Sequence, residues 1–105
     1  MTWTVDFHPA AQDELSDLPA GLQGRMVRLI DVVESYGLEQ VREPHIKHLD
    51  GKLWKLRVSA AERIARGIYV TQVGRRVVVL HVFVKKSQKT PARALSLARN
   101  RMEDL

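Results

Sequence analysis

The chain has 105 residues, of which 45% are apolar, and its net charge is +5. This length fits one compact domain with an ordinary core, and the absence of cysteine excludes disulfides and thiolate metal sites. No apolar run approaches the roughly 20 residues of a membrane span, and the first residues lack a signal-peptide pattern, so we expect a cytoplasmic protein.

Charge is distributed unevenly along the chain. Residues 1–40 contain two basic and seven acidic side chains, a net charge of −5, whereas residues 41–105 contain 15 basic and five acidic ones, a net charge of +10. A strongly basic segment favours a polyanionic partner such as a nucleic acid. Any phosphate-binding surface is therefore expected in the second part of the chain.

The first 37 residues predict a strand followed by two helices. Residues 2–7 alternate between polar and apolar side chains, which is typical of a half-buried strand. Pro9 is placed to begin a short amphipathic helix that ends before Pro19. A second apolar stripe at helical spacing starts at Ala20, and Gly37 is placed to terminate that helix. The two helices are expected to pack as a hairpin.

A basic strand face is predicted after a loop. Residues 38–50 are polar and irregular, which favours a connecting loop. Residues 52–58 then alternate, which predicts a strand with one buried and one largely basic face. The buried face is expected to contain Trp54, Leu56 and Val58, and the other face Leu53, Lys55 and Arg57.

The remaining elements are two strands and a helix. Residues 64–73 and 75–84 are rich in β-branched side chains, and the second of these runs is almost entirely apolar, as in a central strand. With residues 52–58 they predict an antiparallel meander. A charged loop follows, and Thr90 is predicted to cap a final helix that reaches about Glu103. The fold class is α+β, in the order β-α-α-β-β-β-α.

Three segments together resemble a known family. They are LDGKLWKLR at residues 49–57, RGIY at residues 66–69 and VLHVFVKKSQKTP at residues 79–91. This combination is similar to the phage-derived, HigB-like branch of the RelE/ParE superfamily of type II toxin–antitoxin toxins, over residues 3–103. The resemblance implies the small RelE-like fold, with residues 1–105 forming a single toxin domain.

The resemblance also implies an activity. Toxins of this kind enter the ribosomal A site and cleave mRNA, and a cognate antitoxin, expected to be of the helix-turn-helix type, neutralises them. The RNA 2′-hydroxyl attacks the neighbouring phosphorus and leaves a 2′,3′-cyclic phosphate, so neither a metal nor an organic cofactor is expected. Cationic side chains suit this chemistry because charge grows on the phosphoryl oxygens in the transition state.

Matching the motifs gives a set of candidate site residues. Arg57, Arg66 and Lys86 are expected to bind and polarise the phosphate, and Lys55, Lys85 and Lys89, with Gln88, to hold the RNA. Each also has a structural alternative. The strand cations can be the solvated face of a half-buried strand, Arg66 can pair with Asp50 or Glu62, and the loop lysines can simply aid solubility.

The aromatic and histidine residues are interpreted as structural. Tyr69 lies inside a strand and is expected in the core rather than stacked on a base. His81 is expected to be a hydrogen-bonded core residue rather than a general base. His8, His45 and His48 lack a third ligand in the sequence, so no metal site is predicted.

One departure from the family keeps other functions open. Several RelE-type enzymes have a catalytic tyrosine near the last helix, but no Tyr or His follows His81 here. Proton transfer would then fall to a lysine, or no base would be needed. Otherwise the protein is a ParE-like inhibitor of DNA gyrase, or a basic RNA-binding module with salt-dependent affinity and no cleavage.

Overall fold

The computed structural model describes residues 3–61, 63–85 and 90–105 of the chain. The elements, in chain order, are the strand β1 (Thr4–Phe7), the helices α1 (Pro9–Ser16) and α2 (Ala20–Tyr36), the strands β2 (Ile46–Asp50), β3 (Leu53–Ala60), β4 (Arg63–Gln72) and β5 (Arg76–Val84), and the helix α3 (Ala92–Met102), with a 3-10 turn at Leu38–Gln40. The predicted α+β class and order are confirmed, with one additional strand.

The helical hairpin forms where the apolar spacing predicted it. Pro9 occupies the first position of α1, where a missing amide hydrogen is tolerated, and the ring of His8 accepts a hydrogen bond from the Ala10 amide at 3.1 Å. Helix α2 ends at Gly37, whose φ of +96° lies in a region that favours glycine. Both ends of α2 therefore fall where the sequence placed them.

The five strands form one mixed sheet in the order β1-β5-β4-β3-β2. Strands β3, β4 and β5 form the predicted antiparallel meander, and β2 pairs antiparallel with β3 at one edge. Strand β1 instead pairs in parallel with β5. Strand β5 is therefore an interior strand, paired with β1 on one side and β4 on the other, as its apolar run predicted.

Two predictions about residues 38–58 were wrong. Residues 46–50 are not a loop but an edge strand, in which only Ile46 is buried, so the apolar periodicity is too weak to reveal it. Trp54 was predicted on the buried face of β3 and Leu53 on the basic face. In the structure Trp54 is 38% exposed, whereas Leu53 is buried at 1% exposure.

The cause is that the sheet is covered on both sides. One core lies between the sheet and the α1–α2 hairpin and includes Leu22, Met26, Leu56 and Tyr69. A smaller core lies under α3, where Ala94 and Ala98 contact a group that contains Leu53, Ile68, Val70, Val78 and Leu80. Small residues on α3 allow the helix to approach the sheet closely.

The predicted N-cap of α3 was also wrong. Helix α3 begins at Ala92, its cap position is Pro91, and no side chain of a described residue caps it. The hydroxyl of Thr90 accepts a hydrogen bond from Arg66 at 2.5 Å. Within the described ranges, no helix combines the length and apolar character needed to cross a membrane.

Candidate phosphate-binding surface

Strands β3 and β4 bring three of the predicted cations onto one face of the sheet. Arg57 lies directly opposite Arg66 in the β3–β4 ladder. Side chains of directly opposite residues share a face, and their Cα atoms are about 5 Å apart. Lys55 precedes Arg57 by two residues and so projects from the same face. The structure therefore brings Lys55, Arg57 and Arg66 together.

Two further lysines extend this group. Lys47 of the edge strand is the register partner of Lys55. The Lys85 amide donates to the Ile64 carbonyl at 2.7 Å, which continues the pairing of β5 with β4 by one residue. Alternation then places Lys85 on the face of Arg66. We call these five residues the cationic face: Lys47, Lys55, Arg57, Arg66 and Lys85.

Lys47 was missed by the sequence analysis because its strand was predicted as a loop. Only the pairing of β2 with β3 identifies it, since an isolated lysine in a polar segment has no distinguishing pattern. The candidate set from the sequence was therefore incomplete at the sheet edge.

Burial and mutual repulsion both lower pKa values on the cationic face. Partial burial, followed by the charges of Arg66, Lys47, Lys85 and Arg57, lowers the pKa of Lys55. Desolvation and the neighbouring arginines likewise lower the pKa of Lys85.

Within the described part of the chain, these charges are poorly neutralised. The lysines of the cationic face and Arg57 form no ion pair with any described residue. A phosphate would stabilise these three lysines and Arg57, whose charges no described residue neutralises.

Arg66 differs from its neighbours because it is only 3% exposed. Burial and the charge of Arg57 lower its pKa. Its guanidinium donates to Thr90, which connects β4 to the segment just before α3. The alternative pairing with Asp50 is not found, because Asp50 pairs with Arg99 of α3, and Glu62 lies outside the described residues.

Three predicted site residues lie outside the described residues: Lys86, which was predicted to polarise the phosphate, and Gln88 and Lys89, which were predicted to hold the RNA. The residues that flank them are fixed, since Lys85 bonds to Ile64 and Thr90 to Arg66. Both flanking residues therefore sit at the cationic face.

A second polar cluster, which the sequence patterns did not predict, joins α1, β5 and α3. One carboxylate oxygen of Glu14 accepts from His81 Nδ1 at 2.9 Å, from Arg101 at 2.8 Å and from the Val82 amide at 3.0 Å. Arg101 also donates to the Leu80 carbonyl at 2.9 Å. Burial raises the pKa of Glu14, but these hydrogen bonds more than offset it, so the pKa lies below its ordinary value.

Tyr69, His81 and His48 each have a well-defined environment in the structure. Tyr69 is 1% exposed in the hairpin core, so it cannot stack on a base, and burial raises its pKa. His81 is hydrogen-bonded as predicted, but its side chain remains 12% exposed. His48 bonds to the Gly51 carbonyl at 2.8 Å. No group of three or more potential ligands among the described residues is arranged to hold a metal ion.

Comparisons with known proteins agree with this architecture. The sequence model of the phage-derived Gp49-like protein family matches residues 13–103. No curated protein sequence is significantly similar to the chain.

Two solved structures are similar to the chain. One is the E. coli toxin RelE in its free state, with two arginines replaced by alanine, at a TM-score of 0.69 and 19% identity over 97% of this chain and 99% of that chain. The other is the archaeal RelE–RelB complex from Pyrococcus horikoshii. Its TM-score is 0.62 and its sequence identity 23%, over 78% of this chain and 93% of that chain. At these identities the similarity establishes the RelE fold.

Proposed function

This chain belongs to the phage-derived Gp49-like family and has the RelE fold, and on that premise we propose that it is the toxin of a type II toxin–antitoxin pair. Its activity is ribosome-dependent cleavage of mRNA in the cytoplasm, and a cognate antitoxin of the helix-turn-helix type neutralises it. The solved complex of a RelE with a RelB supports the existence of such a partner.

The cationic face is the observation that carries this proposal. It combines five basic side chains on three paired strands and the end of a fourth. Partial burial, and after it the like charges of the neighbouring residues, lower the pKa of Lys55, so its ammonium is disfavoured in the free protein. A phosphodiester bound there relieves that repulsion, so part of the binding free energy comes from the removal of unfavourable contacts.

The residues of the face divide into two roles. Arg57 and Lys55, which are only partly buried, contact the phosphate, and Lys47 and Lys85 hold the flanking RNA. Arg66 lies beneath them, adds to the positive potential and fixes Thr90, and it reaches the phosphate directly only if that hydrogen bond is exchanged. Lys86, Lys89 and Gln88 complete the set, with Lys86 polarising the phosphate together with Arg57 and Arg66.

The chemistry requires no cofactor. The 2′-oxygen attacks the adjacent phosphorus, the bond to the 5′-oxygen breaks, and a 2′,3′-cyclic phosphate remains. Cations that are already in place when the reaction begins stabilise the charge that develops on the phosphoryl oxygens. Residues held by a sheet ladder meet this requirement better than residues on a free loop.

Primer extension on one mRNA tests the activity. The purified protein is incubated with that mRNA in a translating cell-free extract and, in parallel, in buffer without ribosomes. New 5′ ends that appear only in the translating reaction are the expected result. Cuts without ribosomes would indicate a free ribonuclease, and no cuts in either reaction would refute the nuclease and favour gyrase inhibition.

A pair of arginine variants tests the surface. Arg57→Ala removes a cation from the cationic face, whereas Arg63→Ala removes one from the exposed start of β4, where alternation directs it to the opposite face. We expect Arg57→Ala to reduce cleavage by about 100-fold, the effect of losing one transition-state contact. Equal activity of the two variants would contradict the site assignment.

A further inference from the structure

His81 has a hydrogen-bonding environment that fixes its tautomer. Because the lowered pKa of Glu14 keeps that carboxyl ionised at neutral pH, its oxygen can only accept. The 2.9 Å bond to His81 therefore requires a proton on Nδ1, so in the neutral ring Nε2 is the basic nitrogen. Nε2 forms no hydrogen bond within the part of the chain that the structure describes.

His81 also adjoins the cationic face. Phe83 is the ladder partner of Arg66, and the ring of His81 stacks on Phe83 with centroids 4.8 Å apart. His81 is thus a diagonal neighbour of Arg66 on the same face, with Cα atoms about 7–8 Å apart. One phosphodiester and its 2′-hydroxyl can span that separation.

We propose that His81 is the general base of the cleavage reaction and that Glu14 is its positioning residue. The inference rests on the proposed nuclease function. His81 Nε2 takes the proton of the 2′-hydroxyl while the 2′-oxygen forms its bond to phosphorus. The bond to the 5′-oxygen breaks, and that oxygen takes a proton from an ammonium of the cationic face. The imidazolium then gives its proton to water and the lysine amine takes one from water, which restores both groups.

Glu14 assists this step in two ways. It orients the ring through Nδ1, and its negative charge stabilises the imidazolium that forms, as in other carboxylate–histidine pairs. Arg101 faces the same carboxylate from α3, and the Val82 amide faces it from β5, so the carboxylate is held from both sides. His81 thus supplies a proton acceptor for the reaction, although no Tyr or His follows it in the sequence.

The test uses variants that preserve the Glu14 bond. In His81→Asn the side-chain amide still donates to Glu14, but the basic nitrogen is gone. His8 offers a matched control, because it also bonds to a carboxylate, Asp104, at 2.7 Å and its side chain is 14% exposed. His8→Asn preserves the cap of α1, since asparagine is a favourable N-cap. All variants are checked for thermal unfolding and for ribosome binding.

Single-turnover cleavage of a short mRNA on ribosomes is measured from pH 5 to 9. The wild-type rate should rise with pH and then level off, as expected for a base that must be deprotonated. In His81→Asn we expect a loss of about 100-fold or more and no such rise, whereas His8→Asn should match the wild type. In Glu14→Gln the rise should move to lower pH, because the imidazolium has lost its counter-charge.

Three outcomes would overturn the inference. A wild-type rate in His81→Asn would do so, as would an unchanged pH profile in that variant. Rescue of His81→Asn by a substrate with sulfur in place of the 5′-oxygen would show that His81 acts on the leaving group instead. If the wild-type protein itself cleaves nothing, the proposed function fails, and this inference fails with it.

Discussion

Replacing Glu14 with alanine should destabilise the protein more than is usual for a surface position on a short helix. The carboxylate accepts from Val82, His81 and Arg101 and is only 26% exposed. Its removal leaves the Val82 amide without that acceptor and leaves Arg101, among the described residues, with only its bond to the Leu80 carbonyl. The loss of a hydrogen bond from an amide costs about 1 kcal/mol of stability, and the loss of one to a charged group costs about 2 kcal/mol. Because the site is partly exposed, we expect the free energy of unfolding to fall by about 2–3 kcal/mol in total.

Urea unfolding at pH 7, followed by far-UV circular dichroism, measures this change. The corresponding loss in thermal midpoint is about 10 °C for a domain of this size. Glu14→Gln, which keeps a neutral acceptor, should lose about 1 kcal/mol. Asp13→Ala removes the same charge from an exposed neighbouring position and should change stability by less than about 0.5 kcal/mol. If Glu14→Ala is as stable as Asp13→Ala, the carboxylate does not stabilise the edge of β5.

Three other predictions concern stability. Gly24→Ala should stabilise α2 by about 0.5–1 kcal/mol in a thermal melt, because a Cβ there meets nothing within 4 Å. The pKa of Glu14 is lower in the folded state than its ordinary value of 4.5, so the stabilisation by its carboxylate is complete above pH 4.5 and is lost as the pH falls below that value. Acidification should therefore reduce the free energy of unfolding more in the wild type than in Glu14→Gln. Lys55→Gln should stabilise the protein by about 0.5 kcal/mol at low salt and by less at high salt, whereas Lys52→Gln in the exposed turn should not.

The sequence predicted those parts of the fold whose signals are local. Helix α2 has five buried residues at helical spacing and a glycine at its end, and β5 has an almost unbroken apolar run. Strand β2 has one buried residue, so its presence depends on pairing with β3 rather than on its own pattern. The parallel pairing of β1 with β5 likewise depends on contacts between distant parts of the chain, so the pattern of neither segment predicts it.

The candidate site divides in the same way. Alternation within β3 and the family motif were enough to place Lys55 and Arg57 on one face, and the ladder adds Arg66 opposite Arg57. The contact between Glu14 and Arg101 joins residues 87 positions apart, and nothing near either residue distinguishes it from an exposed charge. Thr90 shows the converse, because its local cap signal was overridden by a distant arginine.

The helical hairpin and the cationic face lie on opposite sides of the sheet, and they carry net charges of opposite sign. Residues 1–40, which contain the helical hairpin, have a net charge of −5, while the cationic face lies on the other side. Such a molecule has an electric dipole, and the field of a polyanion rotates it during approach, before any contact forms. Collisions are thereby biased toward the cationic face. Because this torque acts over a Debye length of about 8 Å at physiological ionic strength, added salt should slow capture of the target more than it speeds release.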